Sequence, residues 1–83
     1  MAENAITLDR LGKGQRATVA GIKSHGLERR RLMDLGIVPG TEIRVEMDNP
    51  LGDPIAYQVR GSVIALRHAQ AQKIEITIQE ENR

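Results

Sequence analysis

Residues 31–47 read RLMDLGIVPGTEIRVEM, and this one stretch holds the end of a helix, a turn and the start of a sheet. Gly36 can take the left-handed conformation that ends a helix, which places Ile37 to touch Leu32 in a Schellman-type cap. Val38-Pro39-Gly40-Thr41 then reads as a turn, because proline fixes φ at its second position and glycine tolerates positive φ at its third. Beyond it Ile43, Val45 and Met47 alternate with Arg44 and Glu46, the period of a half-buried strand.

Upstream, Leu27 to Leu35 predicts the helix itself, with Leu27, Leu32 and Leu35 on one apolar stripe. Arg29, Arg30 and Met33 fall on the other side, so a methionine is expected in solvent between two arginines. Before the helix, Arg16 to Lys23 reads as a strand with Ala17 and Val19 inward and a bulge at Gly21. Downstream, Ile55, Tyr57 and Val59 alternate, Ile64 and Leu66 lie inward in Ser62 to Arg67, and Ile74, Ile76 and Ile78 close the series. Arg60-Gly61-Ser62 is short enough to reverse the chain tightly. Five such strands predict an all-β fold, a small barrel with a short helical insertion after the first strand, since closing a sheet protects its edges. Asn49 to Pro54 is a loop stiffened by two prolines. Thr7 to Leu11 is read as a short opening helix capped by Thr7, and Arg67 to Gln72 as a helical turn.

The chain has 83 residues, enough for one core and too few for two. It has no cysteine, which removes disulfides, thiolate metal sites and thiol nucleophiles together, and fits a cytoplasmic location. MAENAITLDR lacks the pattern of a secretory signal, and no apolar run approaches the roughly 18 residues of a membrane span. Tyr57 is the sole aromatic residue, so a single-stranded nucleic acid would find little to stack on. The net charge is +1, yet residues 10–31 set seven bases against Glu28 alone. Such a cluster can steer an acidic partner, or simply be a solvated basic face.

Motifs for chemistry are absent or misplaced. Gly12-x-Gly14-x-x-Ala17 has the spacing of a dinucleotide turn but precedes a strand where that turn precedes a helix, and no phosphate-binding P-loop exists. His25 and His68 are the only histidines, and His25 with Glu28 is a weak transition-metal candidate. Ser24 beside His25 lacks a third, orienting group, so Ser24 is assigned to helix entry. Glu80 and Glu81 read as part of a solvated tail. The expectation is therefore a non-enzymatic chain without cofactor, whose working part is a surface. That surface comprises Arg29, Arg30, Leu32 and Met33 of the helix with Leu51, Gly52, Asp53 and Pro54 of the loop; Gly36, Pro39 and Gly40 are structural. The competing reading makes Leu32 core and its neighbours ordinary solvent-facing residues.

These residues resemble the FeoA family of bacterial ferrous iron uptake. The likeness lies in Arg31 to Thr41, Leu51 to Ile55, Val59 to Gly61, Leu66-Arg67, then Ala69, Ile74 and Ile76, and it runs from about Ile6 to Ile78. It implies an SH3-like β-barrel over residues 6–78, between a disordered lead at 1–5 and a polar tail at 79–83. It also implies a cytoplasmic accessory protein that binds and modulates FeoB, the GTP-dependent membrane transporter of Fe(II), without entering the membrane itself. Self-association is a further expected mode. Two alternatives stay open, a small basic barrel binding nucleic acid and a weak transition-metal sensor.

Overall fold

The computed structural model describes residues 5–47 and 49–79. Most of the expected lead, the tail from residue 80 onward with Glu80 and Glu81, and Asp48 lie outside the described residues. The elements are β1 (Ala5–Thr7), a 3-10 turn (Leu8–Arg10), β2 (Arg16–Ile22), α1 (Gly26–Asp34), β3 (Glu42–Met47), β4 (Ile55–Val59), β5 (Ser62–Leu66), α2 (His68–Ala71) and β6 (Ile74–Ile78).

All six strands join one sheet in the order β1-β6-β2-β3-β4-β5, and every neighbouring pair is antiparallel. This is a small all-β, SH3-like fold with one strand more than the alternation predicts. The extra strand is β1, which begins at Ala5 and exists by pairing Ile6 with Ile76 and Thr7 with Glu75 near the far end of the chain. The predicted opening helix is reduced to the 3-10 turn, whose Leu8 is buried. Thr7 does not cap it, because its Oγ1 donates to the Asp9 carboxylate instead.

The sheet wraps one core built from Ala17 and Val19 (β2), Ile43 and Val45 (β3), Tyr57 and Val59 (β4), Leu66 (β5), and Ile74 and Ile76 (β6). Leu32 and Ile37 join it from the helical side, and Leu8, Leu11 and Ala71 complete it. The register of β2 on β6 shifts between Val19 and Gly21, which is the anticipated bulge. A second shift, between Val45 and Met47 on β4, was not anticipated, and Met47 turns out to solvent at 62% exposure where alternation placed it inside.

Of the expected apolar stripe on α1, only Leu32 is buried; Leu27 is 78% exposed and Leu35 42%. The helix is short and meets the core at one point near its end, so one leucine suffices. Its C-terminus closes as a Schellman motif, with Gly36 at φ 100. The Ile37 N–H donates to Leu32 O at 3.1 Å and the Gly36 N–H to Met33 O at 2.9 Å. Gly40, at φ 94, makes the following turn type II, closed by Thr41 N–H to Val38 O at 3.0 Å. That turn is fastened to β2 by two 2.8 Å bonds between Val19 and the Gly40–Thr41 backbone.

The β4–β5 hairpin turns on Arg60 and Gly61, at φ 53 and 83, the type I′ form that matches strand twist. A non-glycine residue there carries roughly 1–2 kcal/mol of backbone strain.

Candidate functional site

The face of α1 away from Leu32 forms a shallow groove of about 410 Å³ lined by Gly26, Arg29, Arg30, Met33 and Asp34. Positions three and four apart share a helix face, so the sequence alone dictates that Arg29 and Arg30 flank Met33. Met33 is half-buried rather than fully exposed. Its thioether forms an adaptable apolar floor between two guanidinium groups. Arg29, Arg30 and Arg31 form no ion pair with any carboxylate among the described residues. Leu32 does not belong to this surface. At 1% exposure it is core, which corrects its assignment as a contact residue: a Schellman cap requires that side chain to face Ile37 inside.

The Leu51–Pro54 loop stands apart from the helix. It enters β4 at Ile55, whereas the end of α1 lies against the opposite end of β4, where a Cβ on Gly36 would sit 3.3 Å from Val59 Cγ1. Five strand residues, roughly 13–17 Å, separate the two features. The loop is held by Asn49, whose Oδ1 accepts from Leu51 N–H at 2.9 Å and whose Nδ2 donates to Asp53 O at 3.2 Å. The Asp53 carboxylate accepts the His68 N–H at 2.7 Å, so its visible task is to start α2. Leu51, at 89% exposure, is the most exposed large apolar side chain described.

The basic run of residues 10–31 is dispersed. Arg16 pairs with Glu42 at 3.5 Å and Lys23 with Glu75 at 3.8 Å. His25 is exposed and occupies the N-cap position of α1 without a side-chain cap bond. This corrects the assignment of Ser24 to helix entry: Ser24 lies one residue earlier and is buried, and its Oγ has no hydrogen-bond partner among the described residues. Glu28, the nearest carboxylate to His25 in sequence, is 3.6 Å from Lys73 Nζ. His68 Nε2 lies 3.7 Å from Asp9 Oδ2. Among the described residues no three His, Cys, Asp or Glu side chains gather as metal ligands. Tyr57 is buried, so it offers no platform for bases.

One cluster was not legible along the chain. Arg44 and Arg60 line a second groove, of about 460 Å³, with Thr41, Glu42, Gln58 and Gly61. These residues come from two short segments, 41–44 and 58–61, that strand register brings together. No helix among the described residues is long and apolar enough to cross a membrane.

Comparison with known proteins gives a consistent picture. The family model described as the FeoA domain matches residues 6–78. An Fe(2+) transport protein A/Fe(2+) transporter FeoB fusion protein of Porphyromonas gingivalis is 32% identical over 73 residues, which are 88% of this chain. The chain spans only 9% of that fusion's length. Among solved structures, a FeoA-like protein from Clostridium acetobutylicum is 38% identical with a TM-score of 0.85, covering 96% of this chain and 93% of that one. The zinc-complexed FeoA of Stenotrophomonas maltophilia, described as a prokaryotic SH3 domain protein, is 29% identical with a TM-score of 0.74 and 89% coverage of each chain.

Proposed function

The chain belongs to the FeoA domain family, which is associated with ferrous iron transport, and from that premise we propose that it is a non-enzymatic cytoplasmic module that docks on FeoB and modulates it. The observation that carries this reading is the fusion protein, in which a domain like this one is covalently part of a FeoB transporter. Tethering raises the effective concentration of one partner at the other, so even a weak surface contact would be occupied.

The groove on α1 is the contact this reading assigns. Arg29 and Arg30 supply charge for an acidic face of the transporter, and Met33 with the exposed Leu27 supplies apolar area that can adapt to it. The Leu51–Pro54 loop would serve a second contact on the same large partner, since it does not share the helical groove.

The test is copurification of this chain with FeoB under different nucleotide states, using Met33→Glu and the pair Arg29→Glu, Arg30→Glu. These side chains lie outside the core, so the variants should unfold at nearly the wild-type temperature and lose most of the copurifying FeoB. Undiminished recovery with both variants would move the contact off α1, and no recovery even with the unaltered chain would remove the partner.

A further inference from the structure

Two residue choices that cost stability converge on the groove between β3 and the β4–β5 hairpin. Arg44 stands directly opposite Arg16 in the β2–β3 ladder, a cross-strand pair of like charges. Arg60 takes the first central position of a type I′ turn, where asparagine or glycine sits without strain. Both line the same groove.

Arg16 reaches Glu42 at 3.5 Å, whereas Arg44 and Arg60 make no ion pair with a described residue. The Arg60 stem is nonetheless positioned. Its Cδ lies 3.0 Å from the point a Cβ on Gly36 would occupy, so the bare glycine at the end of α1 leaves the space across which that side chain runs. A residue kept in an unfavourable backbone conformation points to use at that place.

We propose that this groove binds an acidic peptide segment in extended conformation, with carboxylates on Arg44 and Arg60 and the backbone over Thr41 and Gln58. The arrangement of charges selects this ligand. Arg44 pairs across the ladder with Gln58, and Arg60 follows the end of β4 in the hairpin turn, so two cations from different strands line one groove. An extended chain can carry carboxylates on alternate residues, about 6.6 Å apart, and so offer a separate anion to each arginine. Glu42 also lines the groove and disfavours the continuous anionic backbone of a nucleic acid. The assignment is independent of the transporter reading and uses none of the α1 residues invoked there.

The test is a titration of isotope-labelled full chain with a decapeptide of alternating glutamate and threonine, followed by amide chemical shifts and repeated at two salt concentrations. Shifts should concentrate at Thr41, Arg44, Gln58 and Gly61, and affinity should fall as salt rises. Arg44→Gln removes the repulsion from Arg16 and Arg60→Asn restores the preferred turn residue, so both variants should melt at or above the wild-type temperature. Each should weaken the peptide by about tenfold, the value of one charge-assisted contact. Three results overturn the proposal: shifts centred on α1, equal displacement of the peptide by equimolar inorganic phosphate, or tighter binding of an oligothymidylate that is sensitive to Arg44→Gln.

Discussion

The two ends of α1 are finished differently. At the C-terminus Leu35, Gly36 and Ile37 return four backbone hydrogen bonds to Arg31, Leu32 and Met33, and Leu32 and Ile37 are both buried beneath them. At the N-terminus His25 gives no side-chain cap, its carbonyl accepts from Arg29 at a long 3.5 Å, and the neighbouring Ser24 hydroxyl is buried without a partner among the described residues. What ties that end down is indirect, a backbone bond from Lys23 to Lys73 O and the Glu28–Lys73 ion pair. The helix is thus a lever fixed at one end, and the groove of Arg29, Arg30 and Met33 lies along the lever.

The contrast breaks most readily at the fixed end. Leu32→Ala should lower the unfolding free energy by about 2–5 kcal/mol, because a fully buried leucine leaves a cavity at the joint between helix and sheet. Urea denaturation measures it, and a loss below 1 kcal/mol, roughly that of a surface change, would mean the joint is not where the helix is held. Gly36→Ala should cost about 1–2 kcal/mol by the same assay, since alanine disfavours φ 100 and its methyl would press on Arg60 and Val59.

The loose end should respond in the opposite direction. His25→Ser places a hydroxyl at the N-cap, three residues before Glu28, and completes a capping box worth about 0.5–1 kcal/mol of added stability. Amide exchange at Leu27 and Glu28 should slow with it. Ser24→Ala should change stability least, by no more than about 0.5 kcal/mol, because the hydroxyl it removes makes no hydrogen bond. A larger loss there would show the N-terminal end to be better anchored than its bonds suggest.

Local chemistry explains why one end was readable in advance. Gly36 and Gly40 are punctuation whose meaning is fixed by φ, and both take the positive φ their positions implied, with Ile37 buried between them. Ser24 misled because two residues next to each other could both precede a helix, and burial, which is set by the sheet beneath, placed His25 at the cap. The strand β1 was invisible since its partner is some seventy positions away and three residues carry no period. Met47 escaped alternation through a bulge, and Leu27 and Leu35 through the small footprint of the helix. The α1 residues Arg29, Arg30 and Met33 were found because helical spacing is local. Arg44 and Arg60 were not, because only the register of β3 on β4 makes them neighbours. The loop was found as a loop, but its distance from the helix is likewise a fact of register.

Tyr57, 2% exposed on β4 and the one tyrosine of a chain without tryptophan or phenylalanine, has an experimental consequence. All near-ultraviolet dichroism and intrinsic emission come from that one chromophore, undiluted by tryptophan, so spectral drift reports the surroundings of that one buried ring. Ring-current displacement of the methyl resonances of Val45 and Ile64, which sit beside it in the ladders, offers the same gauge in a magnet. Binding at the surface that leaves this signal untouched is rigid-body docking; binding that moves it has reached the centre of the molecule.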